Sequence, residues 1–261
     1  MTDENQLEGV HPALGMIGCG NMGRALARGL GEPMLCSDAW HERACALAAE
    51  LGGEAVESNA QLARRADVVL LCHKANSLRE VAAEVAPHAR CIVSSLGATP
   101  LTDVKRAYPD RPVYRILPST PVEVRRGAVV LVADEEQDPQ LDRDLHELLA
   151  RLGAVVVLRD ELVEVASALM SNAPAYYALI AEAQIDAGAR YGIPPEQGAT
   201  LVAQTMAGAG ELLRHRGFDT LTMRREVTSP GGSTARALDA LERGGVRNAL
   251  SMAFDAVMRG R

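Results

Sequence analysis

Short apolar runs alternate with stretches of helical periodicity through the first 160 residues. The apolar runs are bounded by turn residues and predict strands at Ala13–Ile17, Met34–Cys36, Val68–Cys72, Cys91–Val93, Val113–Ile116, Ala128–Val132 and Ala154–Leu158. The stretches between them predict helices at Met22–Leu30, Trp40–Leu51, Leu78–Ala86, Leu101–Tyr108 and Leu141–Leu152. Because each parallel crossover needs a helix to return the chain, this alternation predicts a mostly parallel, doubly wound α/β sheet.

The pattern changes from Glu161 onward. No further run is typical of a strand, and an alanine-rich helical pattern covers Ala175–Tyr191, stops at Gly192–Pro195 and resumes over Glu196–Arg216. The sequence therefore predicts an α/β domain over residues 1–160 and an all-helical domain over residues 161–261. The two long helices carry too many apolar residues to be solvated on every face, so we expect a homodimer.

Composition narrows the range of partners and compartments. A net charge of −7 and only eight aromatic residues argue against nucleic acid and anionic membranes as partners. The start of the chain, Met1–His11, is polar and acidic and lacks the features of a secretory signal, which predicts a cytoplasmic protein. Five cysteines, an odd number without C-x-x-C spacing, indicate reduced thiols in the core, and we expect no metal site.

A glycine-rich segment follows the first predicted strand. Gly18–Gly23 has the spacing G-x-G-x-x-G and leads into the helix predicted at Met22–Leu30. In this context the glycines permit a tight turn and let a pyrophosphate approach backbone N–H groups at the helix N-terminus, where the helix dipole favours an anion. Together with the alternating elements, the motif predicts a Rossmann dinucleotide-binding domain. Glycines that serve only a tight packing turn are the alternative.

An acidic residue follows the second predicted strand. Asp38 stands eighteen residues after Gly20, where a carboxylate can accept hydrogen bonds from the adenosine ribose hydroxyls and repel a 2′-phosphate. Since Arg43, one turn into the next helix, is able to reach such a phosphate, we expect NAD(P)H with a slight preference for NADH. The other role open to Asp38 is N-cap of the helix from Trp40 onward, and both roles can hold together.

A second glycine-containing turn lies near the C-terminus. Val227–Thr234 reads V-T-S-P-G-G-S-T, and a helical pattern follows over Ala235–Glu242. Pro-Gly-Gly exposes consecutive backbone N–H groups, and Ser233 and Thr234 place hydroxyls at a helix N-terminus, which together suit a carboxylate ligand. On local features alone, an ordinary interhelical turn with a Ser or Thr cap is the alternative.

Six segments resemble the pyrroline-5-carboxylate reductase family. The turn at Val227–Thr234 is similar to the family signature V-[ST]-S-P-G-G-x-T, and Ile17–Gly23 is similar to its I-G-x-G-N-M-G. Glu57–Asn59 and Ala66–Val68 are similar to the family's S-N-x-E and A-D-V segment. Arg115–Pro121 is similar to R-x-M-P-N-T-P, and Pro174–Tyr176 is similar to G-P-A-[YF]. These matches occur in family order between residues 15 and 245, so the chain is identified as a member.

The resemblance implies a fold, a reaction and a set of site residues. The fold is a Rossmann domain joined to an all-α domain that dimerises through interleaved helices, and larger rings of dimers occur in the family. The reaction is the last step of proline synthesis, in which NAD(P)H reduces the imine of 1-pyrroline-5-carboxylate, a small imine acid. Together with Asp38, the implied cofactor-binding residues are Ile17, Gly18, Gly20, Asn21, Met22, Gly23, Asn59, Cys72, His73, Lys74, Ser95, Leu96 and Gly97.

The resemblance assigns substrate binding to Asp160, Gly231, Gly232, Ser233 and Thr234. The turn residues would anchor the carboxylate through their N–H groups. The Thr234 hydroxyl would hydrogen-bond the ring nitrogen, which makes Thr234 the implied catalytic residue. Asp160 matches an acidic position at the edge of the substrate pocket, where the family usually has Glu.

The chain also departs from the family pattern. Cys72–Ala75 stands where the family has A-V-K-P, and Ser119 replaces the Asn of its P-N-T-P. Ser171–Ala175 stands in place of G-S-G-P-A, and Asp219–Met223 in place of H-P-x-x-L. The side chains of Ser171 and Ala173 imply an altered pocket, so a reductase of another imine acid and a nucleotide-binding regulatory protein without turnover stay open as alternatives. His73 is either a new proton donor or a strand-end histidine held by backbone bonds.

Lysine scarcity separates this chain from related dehydrogenases. Lys74 and Lys105 are its only two lysines. The related hydroxyacid dehydrogenases carry a catalytic lysine in their helical domain, and no lysine follows residue 105 here. A Tyr-x-x-x-Lys dehydrogenase is excluded as well, because no tyrosine stands four residues before either lysine.

Overall fold

The computed structural model describes residues 13–134 and 138–259. The chain forms two compact units, of which the first ends at Ser171 and the second begins at Asn172. The polar segment at residues 1–11, for which the sequence predicts no secretory signal, lies outside the described residues.

The first unit is built on an eight-stranded sheet. Its strands are β1 (Leu14–Ile17), β2 (Leu35–Ser37), β3 (Glu54–Ala55), β4 (Val68–Leu71), β5 (Ile92–Ser94), β6 (Val113–Pro118), β7 (Gly127–Val132) and β8 (Gly153–Leu158). The strand order is β3-β2-β1-β4-β5-β6-β7-β8, and every neighbouring pair except β6 with β7 is parallel. The order reverses between β1 and β4, and ligands of α/β sheets bind at such a point, beyond the carboxyl ends of the strands.

Helices cover both faces of this sheet. They are α1 (Asn21–Leu30), α2 (His41–Leu51), α3 (Asn59–Arg65), α4 (Leu78–Val85), α5 (Leu101–Ala107), α6 (Pro139–Ala150) and α7 (Val163–Met170). The buried side chains form one hydrophobic cluster with α1, α2 and α6 and a second with α3, α4, α5 and α7. Successive residues of β4 enter opposite clusters, because strand side chains alternate between the two faces. The predicted doubly wound α/β fold is confirmed.

The two departures from the predicted elements have local causes. The sequence did not predict β3 and α3, since a two-residue strand shows no periodicity and α3 has only seven residues. The antiparallel pairing of β6 with β7 follows from their short connection at residues 119–126, whose Thr120–Val124 segment is a single 3₁₀ turn. A parallel return would need a crossover of a dozen residues or more.

The second unit is all helical over its described residues. Its helices are α8 (Ala173–Arg190), α9 (Pro195–His215), α10 (Thr220–Glu226), α11 (Ser233–Arg243) and α12 (Val246–Arg259). Helices α8 and α9 pack against each other, and only Ala173 and Gly198 are buried within them. The first unit extends eleven residues beyond the boundary predicted at residue 160, because Val163 and Ala166 of α7 lie in a hydrophobic cluster of the sheet.

Candidate dinucleotide site and carboxylate-binding turn

In the glycine-rich segment Gly18–Gly23, two glycines pack closely against backbone atoms, and the third faces open space. Gly18 has a φ of +101°, and a Cβ there would lie 2.5 Å from the backbone of Cys72 and His73. A Cβ on Gly23 would lie 2.0 Å from the carbonyl oxygen of Gly18. Nothing lies within 4 Å of a Cβ built on Gly20. The loop therefore leaves the Gly20 backbone open to a ligand, as the approach of a pyrophosphate requires.

The first turn of α1 offers backbone donors beside this opening. Gly20 is the N-cap and has no side chain to satisfy the N–H groups that follow it. The first backbone bond of the helix runs from Arg24 N to Gly20 O at 2.9 Å, so the N–H groups of Asn21, Met22 and Gly23 have no intrahelical acceptor. These donors and the helix dipole favour an anion here, and the loop fits the pyrophosphate of a dinucleotide.

The Asp38 carboxylate is fixed by two backbone N–H groups. Cys19 N donates to Oδ2 at 2.7 Å, and Trp40 N donates to Oδ1 at 2.9 Å. Each oxygen keeps a second lone pair that can accept a ribose hydroxyl. Helix α2 begins at His41 with Trp40 as its N-cap, so the alternative that Asp38 is the N-cap is wrong. Asp38 instead ties the glycine-rich loop to the end of β2.

A cleft of about 740 Å³, called the dinucleotide cleft below, lies at the carboxyl ends of β1, β2 and β4. The predicted cofactor residues that line it are Ile17, Gly18, Gly20, Asp38, Asn59, Cys72, His73 and Lys74. The Ser37 hydroxyl donates to Asn59 Oδ1 at 2.8 Å, which leaves the Asn59 amide group as a donor. The structure thus brings residues from three strand ends together around one opening.

The remaining predicted cofactor residues lie outside this lining. Asn21, Met22 and Gly23 form the first turn of α1, and Ser95, Leu96 and Gly97 follow β5. The Ser95 hydroxyl donates to Leu71 O at 2.9 Å and contacts Cys72 Sγ at 3.1 Å, which joins the ends of β4 and β5. Their contacts with a cofactor stay predictions.

Several cleft residues were not assigned to the site from the sequence. They are Ser37, Ala39, Trp40, Glu57, Ser58, Ser77, Glu80, Val81 and Glu84. Arg43, which the sequence places within reach of a 2′-phosphate, also lines the cleft. The Arg43 guanidinium lies over the Trp40 ring, 3.8 Å from its centroid. Glu80 and Glu84 are one helical turn apart on α4, and this spacing could have indicated that they share a face. Which face points to the cleft depends on tertiary packing.

His73 is held by a backbone carbonyl. Its Nδ1 donates to Lys74 O at 2.9 Å, which places the ring proton on Nδ1, because a carbonyl only accepts. Burial lowers the pKa of His73, so the ring is neutral at neutral pH and Nε2 carries no proton. Nε2 has no hydrogen-bond partner among the residues described. This geometry favours the histidine held by backbone bonds over the proton donor.

Asp160 joins three elements of the first unit. Its Oδ1 accepts from Nη1 of Arg115 on β6 at 2.6 Å, and its Oδ2 accepts from Leu101 N at the start of α5 at 3.0 Å. Arg115 is buried, with 4% of its side chain exposed, and its Nη2 also donates to Glu164 of α7 at 3.2 Å. Both oxygens of Asp160 therefore have partners within this unit, and its role toward substrate stays a prediction.

The turn at Ser229–Gly232 leads directly into α11. Gly232 N donates to Ser229 O at 3.0 Å, and Gly231 has a φ of +69°, which with Pro230 before it is typical of a type II turn. A Cβ on Gly232 would lie 2.3 Å from Ser229 Oγ and 3.1 Å from Ser229 O, so a side chain there would displace the Ser229 hydroxyl. The N-cap of α11 is Gly232, and the alternative of a Ser or Thr cap is wrong.

The start of α11 presents donors without a competing cap. The first helical bond runs from Arg236 N to Gly232 O at 3.2 Å, so the N–H groups of Ser233 and Thr234 have no intrahelical acceptor. The Arg236 guanidinium folds back and donates to Gly231 O at 2.7 Å, which brings a cation to the turn. Backbone N–H groups, two hydroxyls and a cation together suit a carboxylate.

The five cysteines are free thiols, as predicted. Cys19, Cys36 and Cys91 are buried, whereas Cys72 is half-buried and Cys45 is exposed, so the core assignment holds for three of them. Within residues 13–134 and 138–259, no group of three or more His, Cys, Asp or Glu side chains could hold a metal ion. No helix in the same ranges is long and apolar enough to cross a membrane.

Comparison with known proteins covers nearly the whole chain. Residues 160–260 match the family model described as pyrroline-5-carboxylate reductase dimerisation, and residues 13–98 match that of the coenzyme F420-dependent NADP oxidoreductases. The chain is 31% identical over 256 residues to the pyrroline-5-carboxylate reductase of Pseudomonas aeruginosa, covering 94% of each protein.

Solved structures show the same similarity. A pyrroline-5-carboxylate reductase from Coxiella burnetii superposes with a TM-score of 0.84 at 26% identity over 95% of this chain and 96% of that one. The Plasmodium falciparum pyrroline carboxylate reductase, solved with NADP bound, superposes with a TM-score of 0.80 at 22% identity over 96% and 97%. With 31% identity over nearly its full length to one such enzyme, the chain belongs to the pyrroline-5-carboxylate reductase family.

Proposed function

We propose that the protein reduces the imine of 1-pyrroline-5-carboxylate to L-proline with NAD(P)H, as an oxidoreductase acting on a C=N bond. The observation that carries this proposal is the presence, in a chain of this family, of a dinucleotide cleft together with a turn suited to a carboxylate. The reaction needs a held cofactor, an anchor for the substrate carboxylate and a donor near the ring nitrogen.

The first unit provides the cofactor site. When bound, the reduced nicotinamide supplies the hydride that reaches the imine carbon. The first turn of α1 binds the pyrophosphate, and the Asp38 carboxylate accepts hydrogen bonds from the adenosine ribose hydroxyls. The Asn59 amide group and the Lys74 ammonium add donors along the same cleft.

The second unit provides the carboxylate anchor. The N–H groups of Ser233 and Thr234 bind the carboxylate, and their fixed position at the start of α11 holds the planar ring in one orientation. The Thr234 hydroxyl donates to the ring nitrogen and stabilises the negative charge that reaches it with the hydride. Thr234 is therefore the catalytic residue of this proposal.

A direct assay tests the function. The purified protein is mixed with 1-pyrroline-5-carboxylate and either NADH or NADPH, and both cofactor oxidation and proline are measured. We expect both to rise in equal amounts and to depend on enzyme concentration. Absence of turnover above background with both cofactors would overturn the proposal. Oxidation of the cofactor with other cyclic imines but not with this one would assign a different imine acid as substrate.

We also propose that the dimers associate into a ring. Apolar side chains outside α8 and α9, including Leu241 of α11 and Leu250 and Met252 of α12, are exposed within one chain. These side chains provide a second apolar surface, which a ring would cover. Light scattering should give a mass of two or more whole dimers, and Met252→Glu should reduce it to one dimer. A wild-type mass equal to one dimer would contradict the ring.

A further inference from the structure

We propose that the dinucleotide cleft selects NADH over NADPH, and that the stacked pair Trp40–Arg43 forms the wall against which the adenine lies. The inference rests on the dinucleotide site of the proposed function and specifies which cofactor that site takes. Three features of the cleft support it, namely the fixed carboxylate of Asp38, the charge of the lining and the placement of Arg43.

The Asp38 carboxylate is positioned for a ribose with two free hydroxyls. Its two oxygens are held by Cys19 N and Trp40 N at 2.7 and 2.9 Å, so it cannot turn away without breaking both bonds. The remaining lone pairs of the carboxylate can accept hydrogen bonds from ribose hydroxyls. An ionised carboxylate has no hydrogen to donate to a phosphate oxygen. A 2′-phosphate at this position would place a second anion against a fixed one.

The charged side chains of the cleft add to this repulsion. Four carboxylates line it, from Asp38, Glu57, Glu80 and Glu84, against the two cations Arg43 and Lys74. The formal charge of the lining is therefore four negative and two positive charges, or −2. A phosphate monoester brings a further charge of about −1.5 to −2, whereas a ribose hydroxyl brings none.

The cation nearest to Asp38 along the chain is engaged elsewhere. The Arg43 guanidinium carbon lies over Trp40 at 3.8 Å from the ring centroid, and Trp40 is 64% exposed. Guanidinium groups stack on aromatic rings and on bases, and Arg43 is itself exposed, so its outer face can receive a planar adenine. In this arrangement Arg43 acts as a stacking surface and not as a phosphate ligand.

Trp40 supplies a built-in probe, because it is the only tryptophan of the chain. Its emission is measured while the intact protein is titrated with NAD⁺ or NADP⁺, and calorimetry gives both affinities independently. We expect NAD⁺ to bind at least about tenfold more tightly, and saturating NAD⁺ to change the Trp40 emission. Equal or tighter binding of NADP⁺ would overturn the selectivity. Unchanged emission at calorimetric saturation would overturn the adenine wall.

Variants separate the contributions. Glu80→Gln removes one carboxylate without touching the glycine-rich loop, and should tighten NADP⁺ binding several-fold and NAD⁺ binding by a smaller factor, because NADP⁺ carries one phosphate more. Arg43→Leu should weaken NAD⁺ and NADP⁺ by the same factor, since stacking is common to both. Selective loss of NADP⁺ binding in Arg43→Leu would show that Arg43 is a phosphate ligand and overturn the assignment.

An arginine outside the cleft provides the control variant. Arg143→Leu removes an exposed arginine of α6 that does not line the cleft, and should leave both affinities unchanged. Because the titrations need no imine, a failed reduction of 1-pyrroline-5-carboxylate would count against the proposed function alone. Reversed cofactor affinities with normal reduction would count against this inference alone.

Discussion

Gly20, the N-cap of α1, and Gly23, in the first turn of that helix, differ in what would surround a side chain at each position, and this difference gives a matched pair of variants. In Gly23→Ala the new Cβ would meet Gly18 O at 2.0 Å, so α1 must shift, at a cost of about 1 to 3 kcal/mol in unfolding free energy. In Gly20→Ala the Cβ meets nothing within 4 Å, so Tm should fall only by the small cost of alanine at an N-cap. Both should lose NAD(P)H affinity by at least about tenfold, Gly20→Ala because its methyl group blocks the pyrophosphate.

Thermal melts and cofactor titrations of the two variants check this prediction. A normal NAD(P)H affinity in Gly20→Ala would show that the pyrophosphate does not approach this residue. A normal Tm in Gly23→Ala would show that the loop and helix separate without strain.

Thr234 is the residue on which the proposed chemistry depends most. Thr234→Ala should lower kcat by roughly 10²-fold, the scale of one lost donor to the developing charge. Thr234→Ser keeps the hydroxyl and should retain most of the activity. Steady-state kinetics with 1-pyrroline-5-carboxylate measures both variants. Because Gly232, not Thr234, caps α11, neither change should alter Tm. Wild-type kinetics in Thr234→Ala would refute the role.

The candidate site was predictable to the extent that it follows strand ends and glycine motifs. Asp38 was predicted from its distance to Gly20, but its bonds to Cys19 N and Trp40 N depend on where the loop folds. Glu80 and Glu84 carry no motif, and they enter the cleft only because α4 packs its Val81 and Val85 against the sheet. Local sequence therefore indicates the residues that bind by backbone geometry and misses those placed by tertiary packing.

At the scale of elements, Asp160 contacts α5 directly through Leu101 N and is joined to β6 and α7 through the buried Arg115. Asp160→Asn removes the charge that faces Arg115 and leaves Glu164 as its remaining carboxylate, so we expect a loss of about 2 to 3 kcal/mol in unfolding free energy. Glu54→Gln breaks an exposed ion pair with Arg65 and should leave the unfolding free energy nearly unchanged, because solvent screens that pair. Urea unfolding of both variants compares them.

The steady-state kinetics of Asp160→Asn tests whether Asp160 also contacts the substrate, as the family resemblance implies. If Asp160 acts only through Arg115 and α5, Asp160→Asn should keep the wild-type KM for 1-pyrroline-5-carboxylate at a temperature where it is folded. A raised KM under those conditions would support the contact with substrate that the family resemblance implies. An unchanged unfolding free energy would contradict the structural role.

Helices and strands were predicted correctly where the segment was long enough to show a regular spacing of apolar residues. Helix α1, with ten residues and a buried face around Leu26 and Leu30, was predicted to within one residue of its observed start. The direction of β7 was not predictable, because an apolar run reads the same in both directions and only the length of its connection to β6 decides. The packing of α7 onto the sheet was equally hidden, since its sequence is apolar on several faces.

At the scale of the whole molecule, the two units differ in how they bury apolar surface. The first unit encloses two hydrophobic clusters, whereas α8 and α9 bury only Ala173 and Gly198 within one chain. Leu179 and Leu201 remain 66% and 59% exposed. A helix pair with this surface is stable when a second copy covers it, which agrees with the dimerisation model that matches residues 160–260.

This dependence gives a prediction about dilution. The wild-type protein should have a mass in solution of at least twice 27.8 kDa, and its Tm should rise with protein concentration, because association stabilises the folded chain by mass action. Leu201→Glu places a charge on the exposed apolar face of α9 and should give monomers whose Tm no longer depends on concentration. Val124→Glu places the same charge at a residue of the first unit with similar exposure, 67% against 59% for Leu201, and should remain dimeric. A Leu201→Glu protein of wild-type mass would show that the partner covers a different face of the helix pair.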